Sequence, residues 1–235
     1  MDLMKDAFEF SDHLKIPVSM GKWLADQHLS QEDIKTLLTT PIRFKKGELI
    51  LKQGAHASYA VLITEGLVKA YLEDINSHIL TIKIIKPFDF IGLSSIFGKG
   101  AYGFSATAIT ASSGYLVKKE LLKTIAENNT KFNFRLLNWY SDNFELLYHK
   151  MNLIGNKQAF GRIADVLLYL WDQVFDKKII ENNITRKVMA ELSGMSVENA
   201  VRILSELKSE GVIVTRTSGI EIVNPEKLRT YILVS

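Results

Sequence analysis

Two hydrophobic periods succeed one another along the chain. From about residue 42, apolar side chains recur in short runs: Phe44, Leu49 and Leu51, then Val61 and Ile63, Val68, Ala70 and Leu72, then Leu80, Ile82, Ile84 and Ile85. Gly47, Gly54, Gly66 and Gly92 separate the runs, and Ala106, Ala108, Ile109, Tyr115 and Val117 continue them. Such runs, punctuated by glycine, predict short strands. Several at regular spacing predict an antiparallel β-roll of jelly-roll type. Residues 1–40 are expected to be helical, with Ser30 capping a helix ahead of Gln31-Glu32-Asp33 and Leu37-Leu38. Past the roll the spacing changes to three and four. A helix should begin near Lys119 and break around Asn128-Asn129, and a longer one should run from about 131 to 156.

Along that longer helix Leu136, Tyr140, Phe144, Leu147, Met151 and Ile154 form an apolar seam, uninterrupted by Gly or Pro. It could pack on the roll. A seam so long and narrow is expected instead to meet a copy of itself, which makes Tyr140, Phe144, Leu147, Met151 and Ile154 the expected dimer interface. Gly155 and Gly161 bracket an expected hinge, and Phe160, Ile163, Ala164, Leu167, Leu168 and Leu170 open the last domain. The fold expected is α+β, with helices and roll over 1–130, a dimerisation helix and hinge over 131–156, and a final domain over 157–235.

That final domain carries the most informative segment, ITRKVMAELSGMSVENAVRILSELKSEGVIVTRTSG over residues 184–219. Thr185 N-caps a short helix with Met189, Ala190 and Leu192 on its apolar side. Gly194 makes a tight turn, and Ser196 caps a second helix, though Asn199 stands where a capping box would want Glu or Gln. Ala200, Ile203, Leu204 and Leu207 form its buried stripe, so Val197, Glu198, Asn199, Val201 and Arg202 point outward. After Gly211, Val212-Ile213-Val214 and Ile220-Glu221-Ile222 flank a Thr217-Ser218-Gly219 turn. This is the layout of a winged helix-turn-helix, whose second helix enters the DNA major groove. Arg202 offers a planar donor fork suited to guanine O6 and N7, and Glu198, one turn earlier, an acceptor suited to cytosine N4.

Composition narrows the remaining classes. Apolar residues make up 47% of 235 and no run is long enough to span a bilayer, so neither a membrane partner nor a secretory signal is expected and the cytoplasm is the default location. Cysteine is absent, which excludes disulfides, thiolate zinc sites and cysteine-ligated iron–sulfur clusters. Net charge is +3, and residues from 157 onward hold 11 Lys and Arg against 10 Asp and Glu, so bulk attraction cannot drive polyanion binding. Arg186, Lys187, Arg202, Lys208 and Arg216 nevertheless cluster on the helix-turn-helix and wing. Phosphate contacts from them would position the protein on a duplex, at modest affinity unless two modules act together.

The order of roll, long helix, hinge and winged helix-turn-helix resembles the CRP/FNR superfamily of bacterial transcription regulators. The resemblance covers about residues 25–225. It rests on KKGELILKQGAHASYAVLITEGLVKAYL (45–72) and FDFIGLSSIF (88–97) in the roll, and more strongly on ITRKVMAELSGMSVENAVRILSELKSEGVI in the last domain. It implies a homodimer bound to an inverted repeat in double-stranded DNA, with RNA polymerase as a further partner and no enzymatic activity. It also implies Glu198 and Arg202 as base-reading residues, with Ser196, Asn199 and Val197 beside them and Arg186, Lys187 and Arg216 in support.

One region departs from the pattern. Cyclic-AMP-binding relatives carry Gly-Glu-Leu and, downstream, Arg-Ser or Arg-Thr, the Arg neutralising the cyclic phosphate. Here the corresponding residues are Gly92-Leu93-Ser94 and Phe104-Ser105. A buried phosphate facing Phe104 would lack its charge partner, so cyclic AMP is not expected to bind. The oxygen-sensing branch relies on cysteines that this chain lacks. No cofactor is therefore expected, and haem or another small effector is the open alternative. Phe88, Phe90, Leu93, Phe97, Tyr102 and Phe104 could line a pocket or fill it. His13, His28, His56, His78 and His149 lack metal-ligand spacing. A cupin-like enzyme would need His and carboxylate ligands on the strands, and none are there. A signalling module that binds a protein partner and never touches DNA is the remaining rival.

Overall fold

A computed structural model describes residues 8–10, 14–16, 18–98 and 100–234. The apolar runs are strands: β3 (Pro41–Phe44), β4 (Leu49–Leu51), β5 (Tyr59–Glu65), β6 (Val68–Glu73), β7 (Ile79–Ile85), β8 (Phe90–Ile91), β9 (Ser105–Ala108) and β10 (Ser112–Lys118). They form two four-stranded sheets, ordered β3-β10-β5-β8 and β4-β9-β6-β7. In the first, β10 is antiparallel to β5 with Leu116 opposite Val61, and slips register between Ser113 and Gly114. A Cβ on Gly114 would collide with the Leu62 carbonyl, so no other residue fits this close crossing.

The expectation of a wholly helical N-terminus needs correction. Phe8–Phe10 (β1) and Leu14–Ile16 (β2) pair antiparallel, and helix begins only with α1 (Val18–Asp26) and α2 (Gln31–Leu37). His13 lies outside the described residues. Ser30 caps α2 as expected, in a reciprocal box: its hydroxyl accepts from the Asp33 N–H at 3.0 Å, and the Asp33 carboxylate accepts from the Ser30 N–H at 3.0 Å. Between β8 and β9 lies the one-turn α3 (Leu93–Phe97), entered through Gly92 at φ 89°. After the roll come α4 (Lys119–Asn128), α5 (Thr130–Asn156) and α6 (Ala159–Tyr169), the last running into a π-helical turn at Leu170–Val174. Gly155 lies within α5 and Gly161 is buried within α6, so the break itself falls at residues 157–158. The last segment adds β11 (Ile180–Glu181), α7 (Arg186–Ser193), α8 (Val197–Ser209), β12 (Ile213–Arg216), β13 (Gly219–Ile222) and α9 (Pro225–Val234).

The chain divides into two compact units, 1–68 with 85–143 and 69–84 with 144–235, a division unlike the sequential one drawn from periodicity. The first unit's core joins Met20, Leu24, Ile34 and Leu37 of α1 and α2 to Leu62, Leu93, Leu122, Phe132 and Leu136. The second centres on Ile163, Leu167, Met189, Leu192, Ile203, Leu207, Ile220 and Leu228, all buried.

Helix α5 corrects the expected seam. Leu136 is buried in the first unit's core, and the Tyr140 hydroxyl donates to the Leu93 carbonyl at 3.1 Å, so Tyr140 packs inward and is removed from the dimer set. Ile154 faces Gly194, its Cγ1 3.5 Å from where a side chain there would begin. Phe144, Leu147 and Met151 stay exposed, in line with Phe134, Leu137 and Tyr148. Positions 134, 137, 141, 144, 148 and 151 alternate steps of three and four, a heptad stripe with Ser141 its one polar member.

Candidate nucleic-acid interface

The helix-turn-helix is assembled by short-range chemistry. The Thr185 hydroxyl accepts from the Val188 N–H at 3.3 Å and starts α7, and Gly194 ends it in the left-handed region at φ 60°, ψ 47°. A side chain there would be strained whatever the space around it. The Ser196 hydroxyl then accepts from the Asn199 N–H at 3.3 Å to open α8. The box is not completed, because the Asn199 amide oxygen turns forward to accept from Arg202 Nη2 at 2.9 Å. Ser196→Ala is expected to remove about 1 kcal/mol of stability, seen as a lower midpoint in urea unfolding with an unchanged slope.

Once started, α8 divides sharply. Ala200, Ile203 and Leu207 are fully buried and Leu204 nearly so, anchoring the helix on α7 and β12. The opposite face is in solvent: Val197 and Val201 are 39% and 43% exposed, and Glu198 and Arg202 are open beside them. Ser196 is likewise exposed, and Asn199, bonded to Arg202, is half-buried. Thirteen residues make a rod about 20 Å long, narrow enough for a major groove about 12 Å wide.

Arg202 pairs with Glu206 and Asn199, leaving Glu198 out of that network. An exposed pair of this kind contributes about 0–1 kcal/mol, whereas a bidentate guanine contact contributes about 1–3, so the guanidinium can transfer to a base edge at a net gain. Glu198 is held below the usual carboxylate range, first by its own backbone N–H and then by the Ser196 hydroxyl. It is therefore an ionised acceptor at neutral pH.

The wing is a three-stranded sheet, β11-β13-β12, of which the two-residue β11 has no readable sequence pattern. Arg216 Nε donates to Glu221 at 2.7 Å on its exposed edge. Arg186 is half-buried and Lys187 exposed, both in the first turn of α7. Behind this surface lies a group of charges that periodicity gave no reason to single out. Lys150 of α5 donates to the Leu192 carbonyl at 2.6 Å, and burial pushes its ammonium down to about 8 against the opposing pull of Asp165. Asp165 itself meets His149 at 3.4 Å and Lys157 at 3.7 Å.

The residues expected at the effector position, Gly92, Leu93, Ser94, Phe104 and Ser105, include no cation. Leu93 is buried in the core, Ser94 is exposed and Phe104 half-buried. The Ser105 hydroxyl accepts from the Gln53 N–H at 3.0 Å. A Cβ on Gly92 would stand 3.1 Å from the Tyr102 ring, whose hydroxyl donates to the Tyr59 carbonyl at 2.7 Å. The surrounding aromatics divide. Tyr102 fills space here, Phe97 is partly exposed, and Phe88, Phe90 and Leu93 line a separate cavity of about 210 Å³ with Trp23 and Trp139. Among the described residues no group of three His, Cys, Asp or Glu side chains could hold a metal ion, and no helix is long and apolar enough to cross a membrane.

Comparison with known proteins agrees with this anatomy. Residues 41–129 match the cyclic nucleotide-binding domain, and residues 161–231 the Crp-like helix-turn-helix domain. The listeriolysin regulatory protein of Listeria monocytogenes is 26% identical over 213 residues, covering 85% of this chain and 90% of its own. The transcriptional regulator SdrP of Thermus thermophilus is 23% identical, covering 83% and 95%. Among solved structures, FixK2 of Bradyrhizobium japonicum superposes with a TM-score of 0.75 at 22% identity, over 82% of this chain and 96% of that one. A CRP/FNR-family regulator from Thermus thermophilus does so at 0.64 and 22%, over 82% and 98%.

A cyclic nucleotide-binding-type roll followed by a long helix and a Crp-like helix-turn-helix defines a DNA-binding transcription regulator, and the relatives are regulators rather than enzymes. The chain belongs to the CRP/FNR superfamily.

Proposed function

We propose that this regulator reads an inverted-repeat operator as a homodimer, with Glu198 and Arg202 selecting bases, and that cyclic AMP does not control it. DNA and RNA polymerase are its working partners in this reading, and the cytoplasm its location. The observation that carries it is the outward face of α8, where an ionised acceptor and a donor fork one turn apart stand in solvent on a helix anchored from behind. The exposed heptad stripe on α5 supports the dimer, since apolar side chains as open as Phe134 at 63% and Met151 at 71% gain by covering one another. Leu93 and Phe104, standing where the relatives carry a carboxylate and a guanidinium, support independence from cyclic AMP, because neither can offer a charge to a phosphate that loses its hydration.

Selection from random duplexes with purified protein and no additive should enrich a palindrome whose half-sites lie about 34 Å apart. Adding cyclic AMP should change neither the enriched sequence nor the melting temperature. Enrichment only in its presence would refute the ligand reading, and enrichment of an asymmetric site would refute the dimer.

A further inference from the structure

The chain leaves the first unit after Val68 and re-enters it at Ile85, and the β6–β7 hairpin between them belongs with the reading head. Its anchor is a buried ion pair. Glu191, near the end of α7, is only 7% exposed, and its Oε2 meets Lys69 Nζ at 2.6 Å and accepts from the Thr81 hydroxyl at 3.0 Å. Lys69 lies over the Tyr71 ring, 5.0 Å from its centre, and Thr81 is fully buried. Among the described residues the other carboxylate oxygen, Oε1, is buried with no hydrogen-bond partner, and Lys69 and Thr81 are the groups that compensate this charge.

The next residues are held as well. Lys150 donates to the Leu192 carbonyl at 2.6 Å and Arg162 to the Gly194 carbonyl at 3.3 Å, while Leu80 and Ile154 lie against Gly194. Groups from the hairpin, α5 and α6 thus converge on the last turn of α7, immediately before the reading helix. Stability does not account for the ion pair at the centre of this cluster. Removing both charges from water costs about what their attraction returns, so a well-packed apolar pair would serve as well. What the charges add is direction: a carboxylate bonded through one oxygen to one ammonium and one hydroxyl admits a single register of α7 on the hairpin.

We propose that Glu191 is a positioning residue for DNA reading, and that its pair with Lys69, backed by Thr81, sets the orientation in which α8 is presented. This rests on the dimer reading above. When two linked heads occupy two half-sites, the second contact gains from the first only if its head already points the right way. A lone half-site makes no such demand.

The test compares wild type, Lys69→Met, Glu191→Gln and the double variant on a duplex with the selected inverted repeat and on one with a single half-site. Thermal stability and hydrogen exchange of the 69–84 amides are measured in parallel. Each single variant leaves one charge buried alone and should lose stability. The double variant should recover most of that stability, yet bind the full repeat about tenfold or more weakly while half-site affinity changes less than about twofold. Its hairpin amides should exchange faster.

Full-repeat affinity that recovers together with stability would assign the pair a merely structural role and overturn the proposal, as would equal losses on both duplexes or tighter binding to the full repeat. If Glu191→Gln does not fold, Lys69→Met alone must show the same split between duplexes. A wild-type protein with no preference for the full repeat would instead defeat the dimer reading. Hairpin exchange would then decide this proposal, and unchanged exchange in the double variant would overturn it.

Discussion

Arg202→Ala protein is expected to fold normally and to lose its operator. The side chain is exposed, and its pairing with Glu206 is a surface contact, so unfolding should shift by no more than about 1 kcal/mol. On DNA the loss is counted twice, once per half-site, at about 1–3 kcal/mol each. The sum, about 2–6 kcal/mol, corresponds to a loss of roughly 30-fold to well over 1,000-fold. Fluorescence anisotropy at about 0.15 M salt, with the selected operator and a scrambled duplex, measures it. Operator affinity should fall to the scrambled level, while scrambled binding, carried by phosphate contacts, should barely move. Arg202→Lys should recover little, because a point charge cannot make the planar two-pronged contact. Retained discrimination in Arg202→Ala would falsify the assignment of base reading to this face.

The second large effect is expected on α5. Phe144 and Met151 are 55% and 71% exposed on the heptad stripe and contribute to neither core, so lysines at both positions should leave the protomer folded. In a dimer those lysines would face their own copies across an apolar seam, where like charges stripped of water repel. Light scattering should report a monomer for Phe144→Lys/Met151→Lys, and affinity for the inverted repeat should fall by about two orders of magnitude as the advantage of linked half-sites disappears. Binding to a single half-site should persist. A double variant that remains dimeric would move the interface elsewhere on the surface.

The helix-turn-helix was legible because its instructions are local. Thr185 and Ser196 cap the helices they precede, Gly194 occupies the one backbone state its turn requires, and Ala200, Ile203 and Leu207 repeat within two turns. Helix α9 carries a comparable local signal: Asn224 caps it, its amide oxygen accepting from the Lys227 N–H at 3.0 Å, and Pro225 fills the first position. The strands β8 and β11 carried none, since two residues cannot display a period.

The seam on α5 failed for a different reason. The helix is apolar on two faces, with Phe132, Leu136 and Leu153 buried and Phe134, Leu137 and Met151 exposed. Steps of three and four pass from one face onto the other, so periodicity alone does not separate Tyr140 and Ile154 from Phe144.

By itself the amino-acid order determined the roll and the helix-turn-helix, because each depends on residues close together or on which residue types are present. Only the tertiary structure decided which face of α5 remains open, that Arg202 leans on Glu206 rather than on Glu198, and that Lys69, Thr81 and Lys150 close on the end of α7. Those outcomes join residues as many as 122 positions apart, and a charge in sequence names no partner until folding has removed the water around it.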